Sequence, residues 1–307
     1  MQINIYATYI YGDKNMADTN PLNSFFRKSK FNIDLPSRGR WYPKTALAPT
    51  VVNGSVAVFP MTAADEAKFK IGDATLTGAG IFDLVRSCIP DIRQPELAPM
   101  ADLDAILLAI RRASYGDNMK FNVKVPNTSL MREITLNLST MASESFGSEA
   151  DWDDTLEITD EDTGKVLTVK VKPINLKTLF GHSKTLVRVQ QMSVKMAEAD
   201  DIADDAKLES LTENIQNLSQ VNITMVADSI ESLETEDFST RNPADVRNLL
   251  GQIDVAYFNE MQKHIDNQRK KIGMQDTVIT STPEEIEAGA PESWVAEINF
   301  TTAEFFK

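Results

Sequence analysis

Residues 31–43 read FNIDLPSRGRWYP. Phe31, Ile33 and Leu35 alternate with Asn32 and Asp34, the period-two pattern of a half-buried strand. Pro36 ends the run, and Gly39 offers a positive φ in the turn that follows. The chain then leaves on two aromatics, Trp41 and Tyr42. The stretch holds no obvious nucleophile, metal ligand or phosphate loop, so its business is shape or contact. Of the two rings, one is expected to cover core behind the turn and the other to be a contact, in an order left open.

Working outward, residues 1–30 read as an N-terminal arm, with Phe25 and Phe26 embedded among Arg27, Lys28 and Lys30. Residues 1–15 could form an edge strand or a leader upstream of a second start at Met16. Downstream, GSVAVFP (54–60) is a second short strand, and Thr62 before AADEAKF is a helix cap with acidic residues in the first turn. TGAGIFDLVRSCI (77–89) places Ile81, Leu84, Val85 and Cys88 at helical spacing, and Pro90 stops it. DLDAILLAIRRASYG (102–116) buries Leu103, Ile106, Leu107 and Ile110 and ends on Gly116 as a C-cap. MKFNVKVP with MREITLNLS, and TLEITD with KVLTVKVKPI, read as two hairpins of one small antiparallel sheet over 119–174.

From Asn175 the period changes to that of helices. Residues 175–200 and 204–234 are the first two, the second carrying Leu208, Leu211, Ile215, Leu218, Ile223, Val226, Ile230 and Leu233. A third runs over 237–266, starting with Asn242 as N-cap and Pro243 at the first helical position. The fold class expected is α+β: a small mixed α/β N-terminal domain with antiparallel hairpins (31–174), then an acidic, mainly helical C-terminal half. That half divides into a helical region (175–275) and an acidic tail (276–307) broken by Pro283 and Pro291, either loosely packed or a docking segment.

Composition bounds the function. Over 307 residues, 42% hydrophobic content is enough to bury a core. No apolar run is long enough to span a bilayer, and no secretory leader is expected. The net charge of −14 is uneven: residues 1–125 hold 15 Lys+Arg against 12 Asp+Glu, and the remainder 16 against 33. The acidic part repels nucleic acid and anionic membranes at long range. It is a solvated surface or a face for a basic partner.

Reactive constellations are scarce. Cys88 is the one cysteine and reads as a buried hydrophobe, while His182 and His264 lie far from it in sequence. Acidic runs stand at Asp151/Asp153/Asp154, Asp160/Glu161/Asp162 and Asp200/Asp201/Asp204/Asp205; the first lacks the central glycine and terminal glutamate of a calcium loop, and all three read as solvated loops. Gly78 and Gly80 open a helix but lack the third glycine, or the Lys-Ser/Thr, of a phosphate loop. Neither a cofactor nor an enzymatic activity is expected. The candidate contact residues are Arg38, Arg40, Trp41, Tyr42, Phe25 and Phe26, a set that serves either a protein interface or a nucleic-acid strand. The overall acidity favours the protein; the alternative is a nucleic-acid-binding accessory protein using residues 25–44.

Five segments recur in a fixed order: FNIDLPSRGRWYP, SVAVFPMTAADEAKF, TGAGIFDLVRSCIPDI, DLDAILLAIRRASYGD and FNVKVPNTSLMREITLNL, over residues 31–138. This order resembles the T-even-type bacteriophage baseplate proteins, which include the hub assembly proteins of contractile-tailed phages. Relatives carry a Cys-Pro-x-Cys knuckle where this chain has Val125-Pro126-Asn127-Thr128, so no zinc is carried over. The resemblance implies a non-enzymatic protein made in the host cytoplasm that helps build the baseplate hub or stays in it. Its implied partners are other tail and hub proteins, and self-association is compatible with it.

Overall fold

The computed structural model describes residues 25–69, 78–144, 146–198, 204–275 and 277–296. These described residues condense around three hydrophobic cores. In the first, β1 (Phe31–Asp34) pairs antiparallel with β2 (Ser55–Val58), with Phe31 opposite Val58 and Asp34 opposite Ser55. Behind this hairpin lie α1 (Ala63–Phe69), α2 (Ala79–Cys88) and α3 (Leu103–Tyr115). Leu35, Val56, Val58, Val85, Ile89 and Ile106 are wholly buried between them.

The helix ends follow local chemistry. Thr62 and Asp65 form a reciprocal cap: the Thr62 N–H donates to Oδ2 of Asp65 at 2.8 Å, and the Asp65 N–H donates to Thr62 Oγ1 at 3.2 Å. α3 closes on Gly116 at φ 90°, whose N–H donates to the Arg112 carbonyl. Gly78 precedes α2 at φ 75°, and a Cβ there would lie 2.5 Å from the Phe180 ring. Phe180 therefore seats on the start of α2, edge-on to Phe82 at 5.7 Å.

The next core in chain order is built by β3 (Asn118–Lys124), β4 (Met131–Asn137) and α4 (Leu138–Glu144). The remaining core carries a four-stranded antiparallel sheet in the order β5 (Thr155–Thr159), β6 (Val166–Val171), β7 (Ile230–Glu234), β8 (Ser239–Thr240). Between the neighbouring strands β6 and β7 the chain makes a helical hairpin, α5 (Leu176–Glu198) and α6 (Asp204–Asp228). After β8, α7 (Pro243–Leu250) and α8 (Val255–Ile272) cover the sheet.

The structure corrects four expectations. Residues 119–174 form strands of two separate sheets, not one. Ile230 and Leu233 belong to a strand, not to the helix whose spacing they continue; pairing with β6 overrides the local period. The expected third helix is two, because Asp254 caps a new start through the Ala256 N–H at 2.7 Å. Residues 277–296, expected to be a tail either loosely packed or docking, form β9 (Thr277–Thr280), α9 (Pro283–Glu287) and β10 (Ser293–Ala296), which pack on the β3–β4 core through Ile279 and Trp294. Pro283, expected to break structure, occupies the first turn of α9 after its Thr282 cap.

Candidate functional site: the turn between two cores

The turn after β1 is built from successive tight reversals. The Arg38 N–H donates to the Leu35 carbonyl and the Arg40 N–H to that of Ser37, both at 2.8 Å. Arg38 (φ 49°) and Gly39 (φ 83°) are both left-handed. Gly54 packs under the turn so closely that a Cβ there would sit 2.6 Å from Arg38 Cα.

A carboxylate holds the turn from beneath. Asp102, fully buried just before α3, accepts from the Ser37 N–H at 2.8 Å and from the Ser37 hydroxyl at 2.6 Å. The same hydroxyl accepts from the Gly39 N–H at 3.1 Å. Burial raises the Asp102 pKa to about 6, against the lowering effect of the two Ser37 hydrogen bonds; the nearby charge of Glu149 adds to the rise. The Tyr42 hydroxyl is buried beside this carboxyl without a hydrogen bond of good geometry. Burial, then the Asp102 charge, pushes its ionisation well above the usual phenol range.

The two aromatics part company. Tyr42 packs against the first core, whereas Trp41 packs against the sheet core, edge-on to Trp152 with ring centres 5.3 Å apart. Trp152 is buried and donates its indole N–H to the Val171 carbonyl. Arg40 lies over Trp41 at 5.2 Å and reaches Asp154 at 2.7 Å. The Pro36 carbonyl accepts from the Glu149 N–H at 2.9 Å. The turn is thus a wedge between two cores, with a cleft on either side. One, of about 600 Å³, runs along Asn32, Asp34, Arg38, Arg112 and Ser143. The other, of about 580 Å³, lies between Trp41, Lys172, Thr178 and Asp228.

Arg38, Arg40, Trp41 and Tyr42 therefore share one turn, while Phe25 and Phe26 stand apart, 83% and 59% exposed. Arg27 ties their segment to the first core through Asp65 at 3.3 Å and Ser87 at 3.0 Å. The basic stretch is partly neutralised within the chain: Arg27, Arg38 and Arg40 face Asp65, Asp34 and Asp154. Hydrogen bonding from Arg38 holds the Asp34 carboxyl below its usual range. Those pairs leave less free cation for phosphates than the sequence suggests.

The other reactive candidates sit in structural roles. Cys88 is wholly buried, and burial pushes its thiol up to about 12. His182 on α5 meets Asp228 of α6 at 2.9 Å, and Arg247 of α7 meets the same carboxylate at 2.8 Å, so these groups lace three helices together. His264 contacts the Asp153 carbonyl at 3.1 Å. Asp151 caps a turn through the Ser148 N–H, and Asp160 accepts from the Asp162 and Thr163 N–H groups. Among the described residues no three His, Cys, Asp or Glu side chains are grouped to hold a metal; Asp200 and Asp201 lie outside the described residues. The Val125–Thr128 turn is closed by the Thr128 hydroxyl on the Val125 carbonyl at 3.0 Å. The helix start at Gly78 is covered by Phe180, where an anion would have to sit.

Sequence reasoning missed the Ser37–Asp102 clamp and the role of Trp152. The signals were present as a serine inside a Pro-x-x-Gly turn and an aspartate before α3, but 65 residues separate them.

These features define a class: a multi-core α+β protein whose charged and aromatic turn residues hold its parts together and line open clefts. The chain belongs to the T4 bacteriophage base plate protein family, whose model matches residues 30–278. That range includes the turn, the whole sheet and the helical hairpin, well beyond the five segments noted in the sequence. No curated protein and no solved structure gives a significant match. Among the described residues no helix is long and apolar enough to cross a membrane.

Proposed function

We propose that this phage baseplate protein acts in the hub of a contractile tail, without catalysis, by protein–protein contacts with other tail proteins. The observation that carries the reading is the family match over residues 30–278. The structure supports it: the groups that could do chemistry, Cys88, His182 and His264, are buried or engaged in packing between elements. The rim of the turn, Arg38 and Arg40, is exposed above the two clefts and is the surface proposed to meet a neighbour. Assembly takes place in the host cytoplasm, with the protein acting on the hub as a helper or remaining as a part.

Affinity capture of the tagged protein from infected cells should recover hub proteins, and Arg38→Ala with Arg40→Ala should weaken that recovery. Recovery of nucleic acid in a salt-sensitive complex instead would overturn the reading in favour of strand binding. Alanine at Cys88, His182 and His264 should leave infectious assembly intact wherever the fold is kept. Loss of assembly by a folded variant of this set would reopen catalysis. Presence in purified virions separates a permanent component from an assembly helper.

A further inference from the structure

At the end of the sheet away from the turn lies a small apolar pocket of about 220 Å³. Ile158, Leu167 and Thr235 come from three adjacent strands or their ends, and Ile253 and Tyr257 close it from the start of α8. It is smaller than pockets that enclose drug-sized ligands, roughly 300 Å³ and up, and of a size for one large side chain. Carboxylates gather at its mouth: Asp160 lines it, Glu161 and Asp162 follow in the same turn, and Asp254 adjoins the lining residue Ile253 as the cap of α8. The Asp160 carboxylate is kept ionised by backbone N–H donors in its own turn. Lys165 is the one cation among the described lining residues.

The same chain presents the complement elsewhere. Phe25 and Phe26 are exposed aromatics followed directly by Arg27, Lys28 and Lys30. Arg27 fixes their segment to the first core, and no residue of that segment lines the pocket of its own chain. We infer that residues 25–30 of one copy dock into the Tyr257 pocket of the next, a ring of Phe25 or Phe26 filling it while Lys28 and Lys30 meet its acidic mouth. Two different surfaces are joined, so the contact is head-to-tail: it closes into a ring if the rotation allows and otherwise runs on as an open chain. Burial of an aromatic anchor supplies the affinity, and opposite charge supplies orientation and rate. This self-contact adds to the contacts with other tail proteins and does not depend on them.

Sedimentation of the purified full chain from micromolar to about 1 mM protein tests this. Self-association that rises with concentration and falls with salt is expected. Phe25→Ala with Phe26→Ala should weaken it by roughly tenfold or more, as should Asp160→Lys with Glu161→Lys. Mixing the two variants should restore a dimer and nothing larger, since each keeps one intact half of the contact. Circular dichroism checks the fold of both, and the arm variant alters only exposed side chains. A chain that stays monomeric throughout, or an oligomer indifferent to both substitutions, overturns the proposal; so does a mixture that fails to pair.

Discussion

Asp102 shows how one buried side chain can set the shape of a surface. Its carboxylate satisfies two donors of Ser37 and thereby fixes a turn with two left-handed residues, one of which, Arg38, carries a Cβ. Asp102→Ala leaves the Ser37 N–H and hydroxyl buried without their acceptor, and should cost about 1–3 kcal/mol by urea unfolding. The pH dependence has a definite sign. The folded pKa, about 6, lies above that of an exposed aspartate, so the folded state holds the proton more tightly. The contribution of this group is fully present below the ordinary carboxylate range and is lost as pH rises from about 4 through 6. Asp102→Asn keeps an acceptor for the Ser37 N–H but cannot ionise. Its stability should therefore vary less than wild type across that window, and an unchanged pH profile would show that Asp102 is not the titrating group.

Gly78 and Phe180 carry the docking of the helical hairpin onto the first core. Gly78→Ala puts a side chain at φ 75° and a Cβ 2.5 Å from the Phe180 ring, and should destabilise by roughly 1–3 kcal/mol. In a Phe180→Ala background the ring contacts are gone and only the backbone strain and a 3.1 Å approach to the Cβ of residue 180 remain, so the two substitutions should be non-additive in urea midpoints. Strict additivity would mean that the ring is free to move aside. This is also the scale at which the sequence is partly readable. α2, α3 and the β1–β2 hairpin are set by local signals: alternation, a Thr62–Asp65 cap, a proline stop and a C-cap glycine. β7 is not, because Ile230 and Leu233 keep the helical spacing of α6, and only pairing with β6, some 60 residues earlier, makes them a strand. Nor is the β9–β10 hairpin, whose Pro283 starts a helix where it was expected to end structure. The Tyr257 pocket escaped for the same reason: its walls come from four separated segments, and the sequence shows only the acidic run at its mouth.

At the scale of the molecule, the turn decides whether the cores act as one body. Trp41 against Trp152, Arg40 with Asp154, and the Pro36 carbonyl with the Glu149 N–H all join the first core to the sheet core within one short segment. That one aromatic would cover core and the other be a contact was legible as a choice; that the two rings pack against different cores was not, because Trp152 is distant in sequence. The exposed Arg40–Asp154 pair contributes little, about 0–1 kcal/mol, so most of the coupling rests on the rings. Trp152→Ala should cost about 3–5 kcal/mol, since it also removes a buried side chain from the sheet core and its bond to Val171. Trp41→Ala should cost less, and the double variant should reveal a coupling near 0.5–1.5 kcal/mol. The sharper readout is cooperativity. If the rings couple the cores, wild type should melt in one transition whose calorimetric and van't Hoff enthalpies agree, and Trp41→Ala should let the sheet core and the first core melt apart. A single, merely shifted transition in Trp41→Ala would place the coupling elsewhere, in the α5–α6 hairpin that reaches the first core through Phe180.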